Sequence, residues 1–299
     1  MMFIYLKYLQ MKYLKPLTKI SLSLALLLFS AVTNGQNTFQ KILERSSVNL
    51  SAGIANYGGD LQQKRVTFNK AGTALGLGLS YSLTSRLHVR GEYLFAKIGA
   101  DDKQNSKLDL QERNLNFKAN LHEVSATLQY DFMNIETYKF TPYIFAGVAY
   151  FKASPYTFDV NGNKYYLAGL GTEGQGLNGD TKPYNTKHIS IPFGGGLKMM
   201  VTDIIGVSFE AGFRKTFTDY IDDVSGNYAD FTALNNYNPI SAELAFRSDE
   251  IKSGSTYPST ATLRGNPKNK DYYYFGLIKL QANLSFLTGS KVGCPKNVF

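Results

Sequence analysis

Eight stretches of this chain alternate apolar with polar or small residues one by one, and the lengths of chain between them alternate as well. The stretches are residues 48–57, 71–82, 87–98, 117–132, 140–151, 188–201, 204–216 and 271–286. In the first, Val48, Leu50, Ala52 and Ile54 share a face. In the fourth, Val124, Ala126, Leu128 and Tyr130 stand against Glu123, Ser125, Thr127, Gln129 and Asp131. In the seventh, Val207, Phe209, Ala211 and Phe213 stand against Ser208, Glu210, Gly212 and Arg214. Successive side chains of a strand point to opposite faces, so each stretch carries one apolar face and one small, polar or charged face. The fifth stretch is apolar on both faces, which leaves its register open.

A soluble sandwich has the same alternation with its apolar faces turned inward. The connections separate the two cases. Stretches one and two, three and four, five and six, and seven and eight are joined by about 14, 18, 36 and 54 residues, and the remaining joins take about four, seven and two. Short and long connections in strict alternation, with an even strand number, are the pattern of outer-membrane barrels. About ten tilted residues cross the apolar layer, and lipid cannot satisfy an open sheet edge, so the sheet must close. The sequence therefore predicts an all-β fold, an eight-stranded antiparallel transmembrane β-barrel of outer-membrane type. Its long extracellular loops are expected over residues 58–70, 99–116, 152–187 and 217–270, and its surroundings are outer-membrane lipid. Tyr57, Tyr81, Tyr130, Phe132, Tyr150, Tyr272, Tyr274 and Phe286, near strand ends, are expected in the interfacial belts.

One continuous apolar run, residues 20–32, follows Lys7, Lys12, Lys15 and Lys19 and precedes small residues. A basic stretch, a short apolar core and a small-residue exit make a signal peptide, assigned to residues 1–35. A periplasmic lead-in over 36–46, the barrel over 47–286 and a periplasmic tail over 287–299 complete the expected organisation. Without the leader's four lysines, 28 bases face 23 acids, so the mature chain is only mildly basic. No cluster of Lys and Arg interleaved with aromatics suggests nucleic acid. A single cysteine, Cys294, cannot form an internal disulfide.

Parity places Arg90, Glu92, Glu123, Lys198, Glu210, Arg214 and Lys279 on the face turned away from lipid. An eight-stranded barrel is filled by its own side chains, and buried charges are costly unless paired. These residues are therefore expected to plug the lumen as an ion-pair network, with structural filling the simpler reading and a gate the alternative. Gly76, Gly78, Gly194, Gly196 and Gly212 leave room beside them. His88, His122 and His188 lie on three different stretches and do not converge, so no catalytic constellation, cofactor or metal is assigned. Asp219, Asp222, Asp223, Asn227 and Asp230 crowd the start of the fourth loop; Asx residues build turns by bonding their own backbone, and that reading is preferred to calcium. The glycines of 169–179 lack the strand–loop–helix setting of a phosphate loop.

Five strings carry a resemblance: Asn56-Tyr57-Gly58-Gly59-Asp60-Leu61, Pro192-Phe193-Gly194-Gly195-Gly196-Leu197-Lys198, residues 218–228 (TDYIDDVSGNY), Arg264-Gly265-Asn266-Pro267 with Asp271-Tyr272-Tyr273-Tyr274-Phe275, and Cys294-Pro295. Together they resemble the small outer-membrane β-barrels of Bacteroidetes that include PorG of the type IX secretion system. The resemblance covers about residues 40–299 and is most specific in the fourth loop. It implies a non-enzymatic barrel that anchors or positions a periplasmic ring of lipoprotein and partner subunits, through the short turns, the lead-in and the Cys294 tail. The alternative is an autonomous surface barrel whose extracellular loops bind a ligand, matrix or host molecule.

Overall fold

A computed structural model describes residues 38–288, apart from 63, 69 and 178–181. The leader, the first two residues of the lead-in and the tail beyond Thr288, with Cys294, lie outside the described residues. Nine strands form one antiparallel sheet: β1 (Ser46–Gly58), β2 (Gly72–Ser82), β3 (Leu87–Asp101), β4 (Asn116–Asp131), β5 (Phe140–Phe158), β6 (Lys164–Tyr166), β7 (Lys187–Met200), β8 (Ile205–Thr216) and β9 (Tyr272–Asn283). Every long strand pairs with its neighbours in sequence, β1 pairs with β9, and β4 pairs with β5, so eight strands close into a meander barrel. β6 is a three-residue addition on the distal end of β5.

Residues outside the barrel explain its solvent. Leu75, Leu79, Val124, Val148, Ile189 and Phe209 are each more than half exposed, and they belong to a continuous apolar band around all eight strands. Burying one such side chain is worth about 1.5–3 kcal/mol, so a water-facing band of this kind is untenable and hydrocarbon is its natural neighbour. The protein is an outer-membrane barrel. Its short turns share one device: Thr84 Oγ1 accepts from the Arg86 and Leu87 amides, and Thr202 Oγ1 accepts from those of Ile204 and Ile205.

Several expectations need adjustment. β5 runs seven residues beyond 151, because Lys152, Ser154, Tyr156 and Phe158 continue one face while Ala153 and Thr157 continue the other. Its unread register turns Tyr143, Phe145, Ala149 and Phe151 inward, where all are buried. The last strand stops at Asn283, and Leu284–Thr288 form a 3₁₀ turn. Two rings leave the interfacial belt: Tyr57 is fully buried at the top of the lumen, and Tyr274 is covered by the first loop, donating to the Thr67 carbonyl.

Candidate functional site

The barrel interior is organised in layers by register. Glu92 lies between Gly78 and Ser125, and Lys279 between Ser51 and Ser208, so each long side chain has short neighbours. A Cβ on Gly78 would stand 2.6 Å from Glu92 Cγ, and one on Gly196 2.7 Å from the Tyr143 ring. Phe145 fills the space left by Gly194 and Gly212 in the same way, with either Cβ 2.9 Å from it.

In that space four side chains make a ring of alternating sign. Arg90 reaches Glu92 at 2.6 Å and Glu210 at 2.8 Å, and Lys279 reaches the same two carboxylates at 2.7 and 2.8 Å. Tyr143 donates its hydroxyl to Glu210 at 2.9 Å, and the Arg90 guanidinium lies 4.8 Å from the centre of the Phe145 ring. Towards the extracellular end, Arg214 holds Glu123 at 3.0 Å, Tyr273 donates to Glu123 at 2.7 Å, and Phe275 lies against the guanidinium. Towards the periplasmic end, Lys198 pairs with Asp131, which also meets His88 at 3.2 Å. Gln129 joins this pair to the ring, donating to Asp131 and accepting from Arg90. A void of about 20 Å³ among Arg90, Glu92, Tyr143 and Lys279 has room for about one water.

All seven residues singled out by parity are thus inside the barrel, but not in one cluster: Arg90, Glu92, Glu210 and Lys279 form the ring, Glu123 and Arg214 a separate pair, and Lys198 a third group. Sequence reasoning missed Asp131, although it closes the polar face of its stretch. The signal was arithmetical: three acids against four bases left one cation without an anion, and Asp131 supplies it. Tyr143 and Phe145 were hidden by the ambiguous fifth stretch. The histidines stay apart: His88 in the lumen, His122 on the outer face against Tyr93 at 2.7 Å, and His188 bonded to the Asn185 carbonyl.

Above the lumen the four long loops fold into one cap. Leu61, Leu115, Leu167, Ile221, Val224 and Leu244, drawn from all four loops, are buried in one cluster with Tyr57, Phe117 and Phe275 of the strands. Three arginines staple it. Arg113 binds Asp102 and the carbonyls of Asp60 and Arg264; Arg264 binds Glu173, Asp223 and the Ala245 carbonyl; Arg247 binds Glu250 and Thr157. Two short helices, Phe231–Tyr237 and Pro239–Ala245, occupy the fourth loop, capped by Asp230 and Asn238.

Three buried carboxyl groups of the fourth loop, those of Asp219, Asp222 and Asp223, are used inside the cap. Asp219 accepts from Ser225 at 2.6 Å, Asp222 from the Val224 amide at 2.9 Å, and Asp223 from Thr172 and Tyr184 at 2.6 and 2.7 Å. Among the described residues no group of three acids, histidines or cysteines is arranged to hold a metal. The Tyr57 hydroxyl touches both Asp222 and Asp271. Two buried carboxylates sharing one hydroxyl proton repel each other, which favours a proton on one of the pair. Burial holds both well above the ordinary carboxylate range, with the charge of Asp222 adding to the effect on Asp271. Burial likewise pushes Asp219 and Asp223 up to about 6, against the pull of Lys270 and Arg264.

Comparison with known proteins fixes the family. Residues 23–246 match a profile described as "Domain of unknown function (DUF6089)", which spans most of the barrel and half of the fourth loop. The chain belongs to the DUF6089 family. No curated protein sequence matches this DUF6089 chain. Among solved structures it is similar to Neisserial surface protein A, with 11% identity, a TM-score of 0.41 and coverage of 80% of this chain and 96% of that one. OprG from Pseudomonas aeruginosa gives 13%, 0.36, 79% and 95%, and the outer membrane enzyme PagL gives 13%, 0.30, 78% and 97%. Similarity at this level concerns the fold, and function has to be argued from the residues of the DUF6089 chain itself.

Proposed function

We propose that this chain is a non-enzymatic, non-conducting outer-membrane platform that holds a fixed surface for another molecule. The observation that carries the reading is the double closure of the barrel: a lumen occupied by paired, buried charges, and above it four loops sharing one core. Loops held in place bind with little ordering cost, which suits a surface barrel recognising a ligand, a matrix component or a host molecule. Reconstitution into a planar bilayer is expected to give no discrete conductance; regular current steps from the folded protein would contradict the reading.

The second reading, a component that anchors the periplasmic ring of the type IX secretion system, has its own supporting observation. Three of the five strings on which the resemblance rests meet in the cap: Tyr57 with Asp222 and Asp271, Asp60 with the Asn266 amide, and Asp223 with Arg264. The resemblance is therefore carried by residues that build one shared feature. The two readings separate experimentally. Removing residues 36–46 and 287–299 from an otherwise folded barrel abolishes cargo secretion only if the chain serves the ring, whereas charge reversal on the exposed cap surface matters only for the surface reading. Recovery of identified ring subunits with the detergent-solubilised barrel supports the secretion role, and their absence argues against it.

A further inference from the structure

The two ends of the lipid-facing surface differ in charge. At the extracellular end, Lys97, Lys118, Lys152, Lys187 and Lys215 occupy outward, exposed positions on five strands. Lys97, Lys152 and Lys215 each stand two residues beyond an outward aromatic, namely Phe95, Tyr150 and Phe213, which places the ammonium groups about 7 Å further along the strand than the rings. None of the five has an ion-pair partner among the described residues; Lys118 rests over the Phe158 ring at 5.5 Å. At the periplasmic end the outward strand positions are Val48, Tyr81, Val89, Tyr130, Phe140, Met199, Ile205 and Ala282, without a charge. Filling a narrow barrel does not require this asymmetry, because these side chains all point away from the lumen.

A groove of about 1660 Å³ adjoins the collar. Phe193 and Phe213, on the outside of the barrel, line its apolar side, and Lys215 with the loop residues Arg65 and Lys268 line its basic side. Asp60, Asp109, Glu112 and Asp271 line it as well, Asp271 with its side chain buried. An apolar wall in hydrocarbon continuous with unpaired cations at headgroup depth is complementary to one kind of occupant. It needs acyl chains for the rings and a phosphate for the cations, and the size of the groove suits a glycan headgroup.

We propose that this face binds a phosphorylated glycolipid of the outer leaflet, with its acyl chains on Phe193 and Phe213, its phosphate on Lys215, Arg65 and Lys268, and further lipid phosphates around the lysine collar. The collar then fixes the depth and rotation of the barrel in the outer leaflet while leaving the periplasmic leaflet free. The inference does not depend on which partner the cap serves.

The test uses the full folded protein in detergent, titrated with bisphosphorylated lipid A and followed by native mass spectrometry. Dephosphorylated lipid A and inorganic phosphate serve as the two comparison probes. The expected result is a retained lipid bound at least tenfold more tightly than its dephosphorylated form, weakened by raising salt from about 50 to 500 mM, and not displaced by millimolar inorganic phosphate. The R65Q/K215Q/K268Q variant should lose at least tenfold of that affinity while keeping the gel mobility of a folded barrel. Equal affinity for the two lipids, or full retention by the folded variant, overturns the proposal, and so does displacement by inorganic phosphate alone. Should the triple variant fail to fold, the comparison of the two lipids on the unaltered protein decides.

Discussion

The lumen and the cap are both buried and both rich in charge, yet they treat charge in opposite ways. In the lumen, Glu92, Glu123, Asp131 and Glu210 are matched by Arg90, Lys198, Arg214 and Lys279, each acid touching a cation. In the cap, Asp102, Asp219, Asp222, Asp223 and Asp271 are buried with fewer cations to answer them, and two of these acids face one another across a tyrosine. Balanced ionic pairs make a plug that depends on every member. An excess of buried carboxyls makes a cap that holds together by keeping protons.

The largest expected effect breaks the lumen. Arg214→Leu leaves Glu123 buried with no cation, a loss of about 3–5 kcal/mol in global stability. Urea unfolding in bilayers, read by gel mobility, measures it, and adding Glu123→Gln should restore much of the loss. The corresponding cut in the cap is smaller and local. Arg264→Leu strands Glu173 and Asp223, costing about 1.5–3 kcal/mol confined to the loops, visible as faster proteolysis of residues 217–271 with the strands still resistant.

Acidity sharpens the contrast further. Asp219, facing Ser225 and Lys270, and Asp223, facing Arg264, Thr172 and Tyr184, rise from 3.8 to about 6 in the folded cap. The folded state therefore holds more protons than the unfolded one between those values, and stability falls with rising pH there. Their contribution is fully present below about 3.8 and lost as pH passes about 6. Loop proteolysis should accelerate from pH 4 to 7 while the lumen-lining strands stay protected. The smallest change is Asp222→Asn, which removes one of two facing carboxyls. It should alter stability by less than about 1 kcal/mol at pH 7 and flatten the pH dependence of the loops.

How much of this was readable in advance follows from the range of each interaction. Outward and inward faces are local, set by a period of two, so the eight-stranded barrel and the interior positions of Arg90 or Glu210 could be read from parity alone. Asp131 obeys the same parity and needed only the requirement that charges balance. The fifth stretch defeated that logic because Tyr143 and Phe145 are apolar and inward, matched to glycines on β7 and β8 that no local pattern reveals. The cap lay further out of reach. Tyr57 meets partners 165 and 214 residues away, and it looked like a belt residue because it ends a strand. Only the clustering of acids in the fourth loop and the strings of the resemblance pointed there, without saying that they touch.

The measurement closest to the central claim is amide hydrogen exchange on the bilayer-reconstituted protein at pH 5 and pH 7.5, normalised for intrinsic rates. The account predicts strand amides protected equally at both, and the Ile221 and Val224 amides, which donate to Asp271 and Asp222, protected at pH 5 and markedly less at pH 7.5. Loop amides exchanging as in an unstructured chain at pH 5, with the strands still protected, would contradict it.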